Sequence, residues 1–356
     1  WRYIPVRMLS TGIILAVLAI SLVLTALALV GKILVSRSND RFVRVRNLYV
    51  YPVKSCGATE LKEAEITRLG LKWDRSFVVA DSKSNEMVSQ RKYPKMALIQ
   101  PTVEEKDGTI TLTLSYPGQS PHEEKLTKAD ISSMPKVEVK VWKDVISAVR
   151  CSSEAAQWLT KVIGVECYLV SSLGEQAHWR PAADGYKTHE GDQAGAFSDG
   201  FPFLLASQES LDALNAKLKM KGELVVPMDR FRPNIVVKNV SEPFAEDYWA
   251  QIQIGASTIF RVAKPCSRCS MPTVDQKIGQ RHPKNEPSRT LKTFRMFRWV
   301  KSTKEEVYFG QNLICAKKTG RIRVDDPVKV RCVASGVGRQ NSIMTQIMVT
   351  VAEKLL

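Results

Sequence analysis

The 356-residue chain has only four histidines, at 122, 178, 189 and 282, and a single Cys-x-x-Cys pair, Cys266 and Cys269. A structural zinc site needs a second ligand pair, and no second Cys-x-x-Cys exists to supply it. Seven cysteines over this length cannot form a disulfide framework, so they read as reduced thiols in a cytosol-facing protein. There is no internal repeat and no glycine-rich phosphate loop, and 19 Gly with 17 Pro is ordinary globular usage rather than linker, collagen or low complexity. Acidic residues are scarce beside basic ones: 36 Asp and Glu face 52 Lys and Arg, a formal charge of +16. Such a surface favours phosphate groups, anionic lipid or an acidic protein partner, and does not choose among them.

Charge disappears altogether between Met8 and Gly31. That stretch of about 24 residues, rising roughly 1.5 Å each, is long enough to cross a hydrocarbon core of roughly 30 Å. It outruns the apolar region of a cleaved signal peptide, usually about 7–15 residues. Residues 1–36 are therefore expected to be a membrane anchor with its span at about 9–31. Arg2 and Arg7 precede the span, whereas Lys32, Arg37, Arg41, Arg44 and Arg46 follow it, an excess that predicts a cytosolic body.

After the polar linker 36–40 the pattern changes to period two, as in Thr109–Leu114 and Lys136–Val141, with Asp107-Gly108 as a turn signal. Phe77–Ala80, Val165–Val170, Ile235–Val237, Ile252–Ile254 and Ile259–Val262 also read as strands. A helix is expected at about Ser153–Ile163, stopped by Gly164, and a second from about Ser207, the N-cap, with Leu211, Leu214 and Leu218 on one stripe. Arg321–Val324 and Val328–Val330 flank Asp325-Asp326-Pro327 and read as a hairpin. The class is α+β with a large share of strand.

Four constellations could carry chemistry. Lys54-Ser55-Cys56-Gly57 follows a strand and could hold an anionic group, although alone it reads first as a turn with an exposed lysine. Asp74-Arg75 opens a strand, where an arginine more often pairs with a neighbouring carboxylate. Arg230 and Arg232 precede a buried-looking strand; guanidinium suits bidentate contact with phosphate, and Asn234 offers a donor and an acceptor to a heterocycle edge. The Cys266-Ser267-Arg268-Cys269 run sets thiols among cations, which lower a thiol pKa and favour a soft-metal ligand, while two structural thiols in a loop remain the plainer account. Lys292, Arg295 and Arg298 recur at helix-like spacing and are candidates for a basic docking face.

Taken in order, YPVKSCG at 51–57, WDR at 73–75, AFSDGFPFLLAS at 196–207, FRPNIVV at 231–237, CSRCSMPTVD at 266–275 and YFGQN at 308–312 resemble the MOSC-domain molybdenum proteins, most closely the amidoxime reducing component family. The resemblance implies an N-terminal MOSC-associated β-barrel region (about 41–168), a MOSC β-barrel domain (169–331), and a preceding transmembrane helix. It also implies a molybdenum cofactor, Mo-molybdopterin, held between the two. The implied activity is reduction of N-hydroxylated compounds, with electrons passed from NADH by cytochrome b5 reductase and cytochrome b5, at the mitochondrial outer membrane or a peroxisomal one, and with no nucleic-acid partner. By resemblance, Cys269 is the protein ligand to molybdenum and the catalytic residue. Lys54, Ser55, Arg75 and Arg232 would hold the pterin phosphate and ring, with Ser198, Asp199 and Gly200 in another cofactor-contacting loop, and Asn234, Ser267 and Asn312 as further contacts. Gly200-Phe201 departs from the family pattern, and 332–356 has no counterpart in it. A sulfur carrier with a cysteine persulfide, or a non-catalytic membrane-anchored adaptor, are the alternatives.

Overall fold

A computed structural model describes residues 43–172, 179–182, 192–195, 197–296, 306–317 and 319–333. The expected span and the chain beyond 333 lie outside the described residues, among which no helix is long and apolar enough to cross a membrane.

The alternating patterns become strands. Ile110, Leu112 and Leu114 are buried while the intervening threonines are half-exposed, as period-two spacing on a one-sided sheet requires. This strand is the centre of a meander, Gln100–Lys106, Thr109–Tyr116 and Gln119–Thr127. Beside it lies a four-stranded sheet in the order Phe77–Asp81, Cys167–Ser171, Asp144–Arg150, Lys136–Val141. Helix Ser153–Ile163 covers the core between them, capped by the Ser152 side chain and ended by left-handed Gly164, with Ala155, Leu159, Val162 and Ile163 facing inward.

The larger sheet has eight strands in the order Thr59–Leu61, Arg44–Val50, Ile235–Lys238, Phe203–Ser207, Val307–Cys315, Thr258–Arg268, Trp249–Ile254, Val328–Val333. Phe203–Ser207 and Ile235–Lys238 are parallel, so the chain between them must cross over, and helix Gln208–Met220 makes that crossing. Ser207 is its N-cap, and Leu211, Leu214 and Leu218 pack on Ala206, Val236 and Phe309. Burying three such leucines is worth about 1.5–3 kcal/mol each. The opposite face holds the main core, including Val45, Leu48, Phe203, Ile235, Ile252, Phe260 and Leu313.

The first strand of the N-terminal region belongs to the large sheet, paired with Ile235–Lys238, while the smaller sheet extends through Ser171, which pairs with Phe77. The hairpin expected around Asp325-Asp326-Pro327 does not form. Gly320–Arg323 pairs with Glu63–Thr67, and Val328–Val333 pairs with Trp249–Ile254. The turn between them is held by the first strand instead: Val45 N–H donates to Asp326 O at 3.0 Å, and Asp325 N–H donates to Val45 O at 2.8 Å. Local turn chemistry was read correctly, but each flanking strand found a better partner elsewhere.

Candidate functional site

The end of strand Arg44–Val50 feeds a tight path. Lys54 N–H donates to Phe77 O and Phe77 N–H to Pro52 O, at 2.8 and 2.9 Å, and Arg75 N–H donates to Tyr51 O at 2.9 Å, so segments 51–54 and 75–77 lie side by side. Ser55 and Arg75 hold left-handed backbone there, with φ of 70° and 50°, a costly conformation for residues with a Cβ. Arg232 is also left-handed, with φ of 55°, just after the turn Met228–Phe231.

These turns bring two guanidinium groups onto one ring. Tyr51 is buried, and the Arg75 and Arg232 guanidinium carbons stand 4.5 and 4.2 Å from its centroid. Asp74 pairs with Arg75 through one carboxylate oxygen and accepts Tyr51 N–H at 2.9 Å with the other. Arg232 donates to Cys56 O at 2.6 Å, and among the described residues no carboxylate forms an ion pair with it. Burial pulls both arginines below their ordinary value; the Asp74 charge reverses this at Arg75, whereas Arg232 remains lowered. An arginine so placed stays protonated, leaving a buried cation in want of an anion.

Above this floor lies a cleft of about 560 Å³. Nine of the expected residues line it: Arg75, Ser198, Asp199, Gly200, Arg232, Asn234, Ser267, Cys269 and Asn312. Lys54 and Ser55 line an adjoining recess that shares Arg75, Asp199 and Arg232 with it. All eleven are thus gathered in one region from segments far apart in the chain. Sequence reasoning did not single out Arg91 or Trp142, and named Tyr51 and Arg268 only as members of their motifs. Trp142 sits in a strand-to-strand turn with φ of 59°, which no hydrophobic pattern could reveal.

Three residues play parts other than those expected. Lys54 is committed to protein: its Nζ lies 2.5 Å from Asp199 Oδ1 and donates to Phe197 O at 2.7 Å. It pins the 197–200 loop rather than presenting a charge to a ligand. Asp199 also accepts the Trp142 indole N–H at 2.9 Å. Its side chain is 72% exposed across the open cleft. Burial raises its pKa, but Lys54 outweighs that and holds it well below the usual carboxylate range. Asn234 is 2% exposed and cross-links strands: its Oδ1 accepts Leu204 N–H at 3.1 Å and its Nδ2 donates to Tyr49 O at 3.2 Å. It is not poised to read a heterocycle edge. Arg230 turns away to Asp275 at 2.6 Å and leaves Arg232 as the arginine of its pair at the cleft.

The thiols come from the end of strand Thr258–Arg268, whose register against Val307–Cys315 shifts twice, between Val262 and Lys264 and between Pro265 and Ser267. Proline cannot donate to the ladder, and such irregularities re-aim side chains at a sheet rim. Cys269 Sγ accepts Met271 N–H at 3.4 Å, and Cys266 Sγ accepts from Arg268 Nη1 at 3.0 Å. Burial pushes the Cys266 thiol up, with Arg268 offsetting only part of the rise, so Cys266 is not a thiolate at neutral pH. Arg268 Nε is buried at the edge of the cleft and has no partner among the described residues. A soft sulfur, a buried arginine without a carboxylate and an orphaned guanidinium nitrogen fit a group that combines a soft metal with an anionic tail.

Of the expected docking face of Lys292, Arg295 and Arg298, Arg295 is turned into the protein. Arg295 is 5% exposed and makes a two-pronged ion pair with Asp247 at 2.7 and 3.0 Å. Helix Ser288–Lys292 ends before it, and Arg298 lies outside the described residues.

Residues 42–166 match the family described as the MOSC N-terminal beta barrel domain, and residues 192–329 match the MOSC domain. The fold and cleft therefore define a MOSC-class protein. A mouse protein named mitochondrial amidoxime-reducing component 1 is 33% identical over 299 residues, covering 80% of this chain and 81% of that protein. The human protein of that name is 33% identical over 305 residues, covering 80% of this chain and 82% of its own. Human molybdenum cofactor sulfurase is 30% identical over 249 residues, 67% of this chain but 27% of that protein. The chain belongs to the amidoxime-reducing component family of MOSC-domain proteins.

Proposed function

We propose that this protein is a molybdenum cofactor-dependent reductase of N-hydroxylated compounds such as amidoximes and hydroxylamines. It would be anchored by residues 9–31 in the mitochondrial outer membrane with its body in the cytosol, and supplied with electrons from NADH through cytochrome b5 reductase and cytochrome b5. The observation that carries the reading is the meeting of Cys269 with the Arg75–Tyr51–Arg232 stack in one cleft. The names of the mouse and human relatives supply the substrate class and the organelle.

In this reading the cofactor supplies two-electron reduction of the substrate N–O bond. The residues do the rest. Cys269 is placed to bind the metal through sulfur, steadied by the Met271 N–H. Arg232 and Arg75 would bind the anionic end, both guanidinium groups resting against the Tyr51 ring. The Lys54–Asp199–Trp142 link holds the 197–200 loop at the cleft wall. Asp199, held ionised, is not a proton donor at neutral pH, so the protons consumed come from elsewhere.

The test is metal analysis of the full chain with a benzamidoxime assay using NADH and the two electron-transfer proteins. About one molybdenum per chain with turnover is expected. The likeness to a protein named as a sulfurase makes a sulfur carrier the second reading; persulfide without molybdenum would establish that one instead.

A further inference from the structure

The C-terminal end of helix Gln208–Met220 carries an unusual surface. Met220 is 87% exposed, Leu224 84% and Val225 49%, and three exposed lysines, Lys217, Lys219 and Lys221, lie in the same stretch of chain. The carboxylate of the same loop, Glu223, is already paired with Lys284 at 2.8 Å. Cations in a helix's last turn complement its dipole, but that accounts for none of the exposed apolar side chains.

From this face a file of aromatic rings leads inward. Lys217 Nζ lies 4.8 Å from the Phe294 centroid. Phe294 meets Phe244 at 5.8 Å, Phe244 meets Phe309 at 6.2 Å, and Phe309 stacks on Phe231 at 3.9 Å. Phe231 lines the cleft, its carbonyl accepting from Arg268 Nη2 at 2.8 Å, one residue before Cys269.

We propose that this lysine-bearing apolar patch is the docking surface for an acidic one-electron carrier protein, and that the ring file is the packed medium between it and the cleft. The inference rests on the reductase reading. Each reduced carrier is oxidised by one electron; two such encounters, with two protons, convert an N–OH group to N–H and water. Charge complementarity selects the partner, since opposed potentials steer encounter and fix orientation while the apolar centre supplies the contact. An anionic bilayer would suit the same charges, but a lipid headgroup makes no use of a file of rings that ends at the cleft. The described fold begins at Val43, where Arg44 pairs with Lys238 and Asn239 N–H donates to Glu209, at the start of the helix. The lysines lie toward its other end, about 12–18 Å along the helix from Glu209.

The experiment titrates the full chain with cytochrome b5 and, separately, with phosphatidylserine vesicles, alongside turnover supported by a small uncharged reductant. The Lys217→Glu/Lys219→Glu/Lys221→Glu variant should lose tenfold or more in carrier affinity, and Leu224→Ser a lesser but measurable part with every charge intact. Turnover with the small reductant should not change in either. Carrier affinity unaltered in both variants overturns the proposal. So does loss of vesicle binding alone, which would assign the face to lipid. If no reductant supports turnover, the reductase reading fails, and the carrier titration still reports on the surface.

Discussion

The two walls of the cleft are built differently. The N-terminal wall places Ser55, Arg75 and Trp142 on turns with left-handed backbone, each locked by neighbouring main-chain or ring contacts. The MOSC wall places Cys269 just past the end of one long strand and Asn312 within another, with only Arg232 left-handed among its expected contacts. Strained turns hold charge at fixed points, whereas a strand rim lets a thiol project into open space. Arg75 from the first wall and Arg232 from the second share the Tyr51 ring, whereas the thiols come from the MOSC wall alone.

The sharpest way to break that division is Cys269→Ala, which should reduce amidoxime turnover to background while leaving the melting temperature near that of the unaltered chain, because the residue is a half-exposed strand end. Next is Gly310→Ala. Gly310 has φ of 78°, and an added Cβ would stand 2.6 Å from Leu205 O in the neighbouring strand. Urea unfolding should show a loss of about 2–5 kcal/mol, since both backbone strain and overpacking are imposed. Asn234→Ala should cost about 1–3 kcal/mol by the same measurement, because two backbone groups lose their partner; normal stability with lost molybdenum would instead return Asn234 to the binding set.

Smaller effects follow from the titrating groups. The depressed carboxyl of Asp199 contributes stability that is present above its unfolded value, near about 3.9, and is lost as pH falls through the lower folded one. Asp199→Asn should therefore be slightly less stable than the unaltered chain above about pH 4, with the gap closing in stronger acid; the exposure of the side chain keeps it small. Smallest is Cys266→Ala, which should retain most activity. In the unaltered chain, alkylation of Cys266, followed by mass spectrometry, should need more alkaline conditions than an ordinary exposed thiol.

Helix limits were legible where a cap and an apolar stripe coincided: Ser207 with Leu211, Leu214 and Leu218, and Gly164 after Ile163. The hairpin at 325–327 was not, because turn residues specify a reversal and not which strand lies opposite. Asn234 and Lys54 show the same limit within the site. Their chemistry suits a ligand, yet both are satisfied by protein groups that arrive from more than a hundred residues away, as Lys54 is by Asp199 and Asn234 by Tyr49.

What the sequence by itself determined was local: the alternation that makes strands, the caps that bound helices, the surplus of positive charge and the ordered motifs that mark the family. Only the tertiary structure decided which of the cations would meet. Arg75 and Arg232 stand 157 positions apart and converge because each takes a left-handed turn against the same buried Tyr51. Periodicity reports the burial of one face of one element, but a constellation depends on how separate elements pack, and that is set by long-range pairing and core volume.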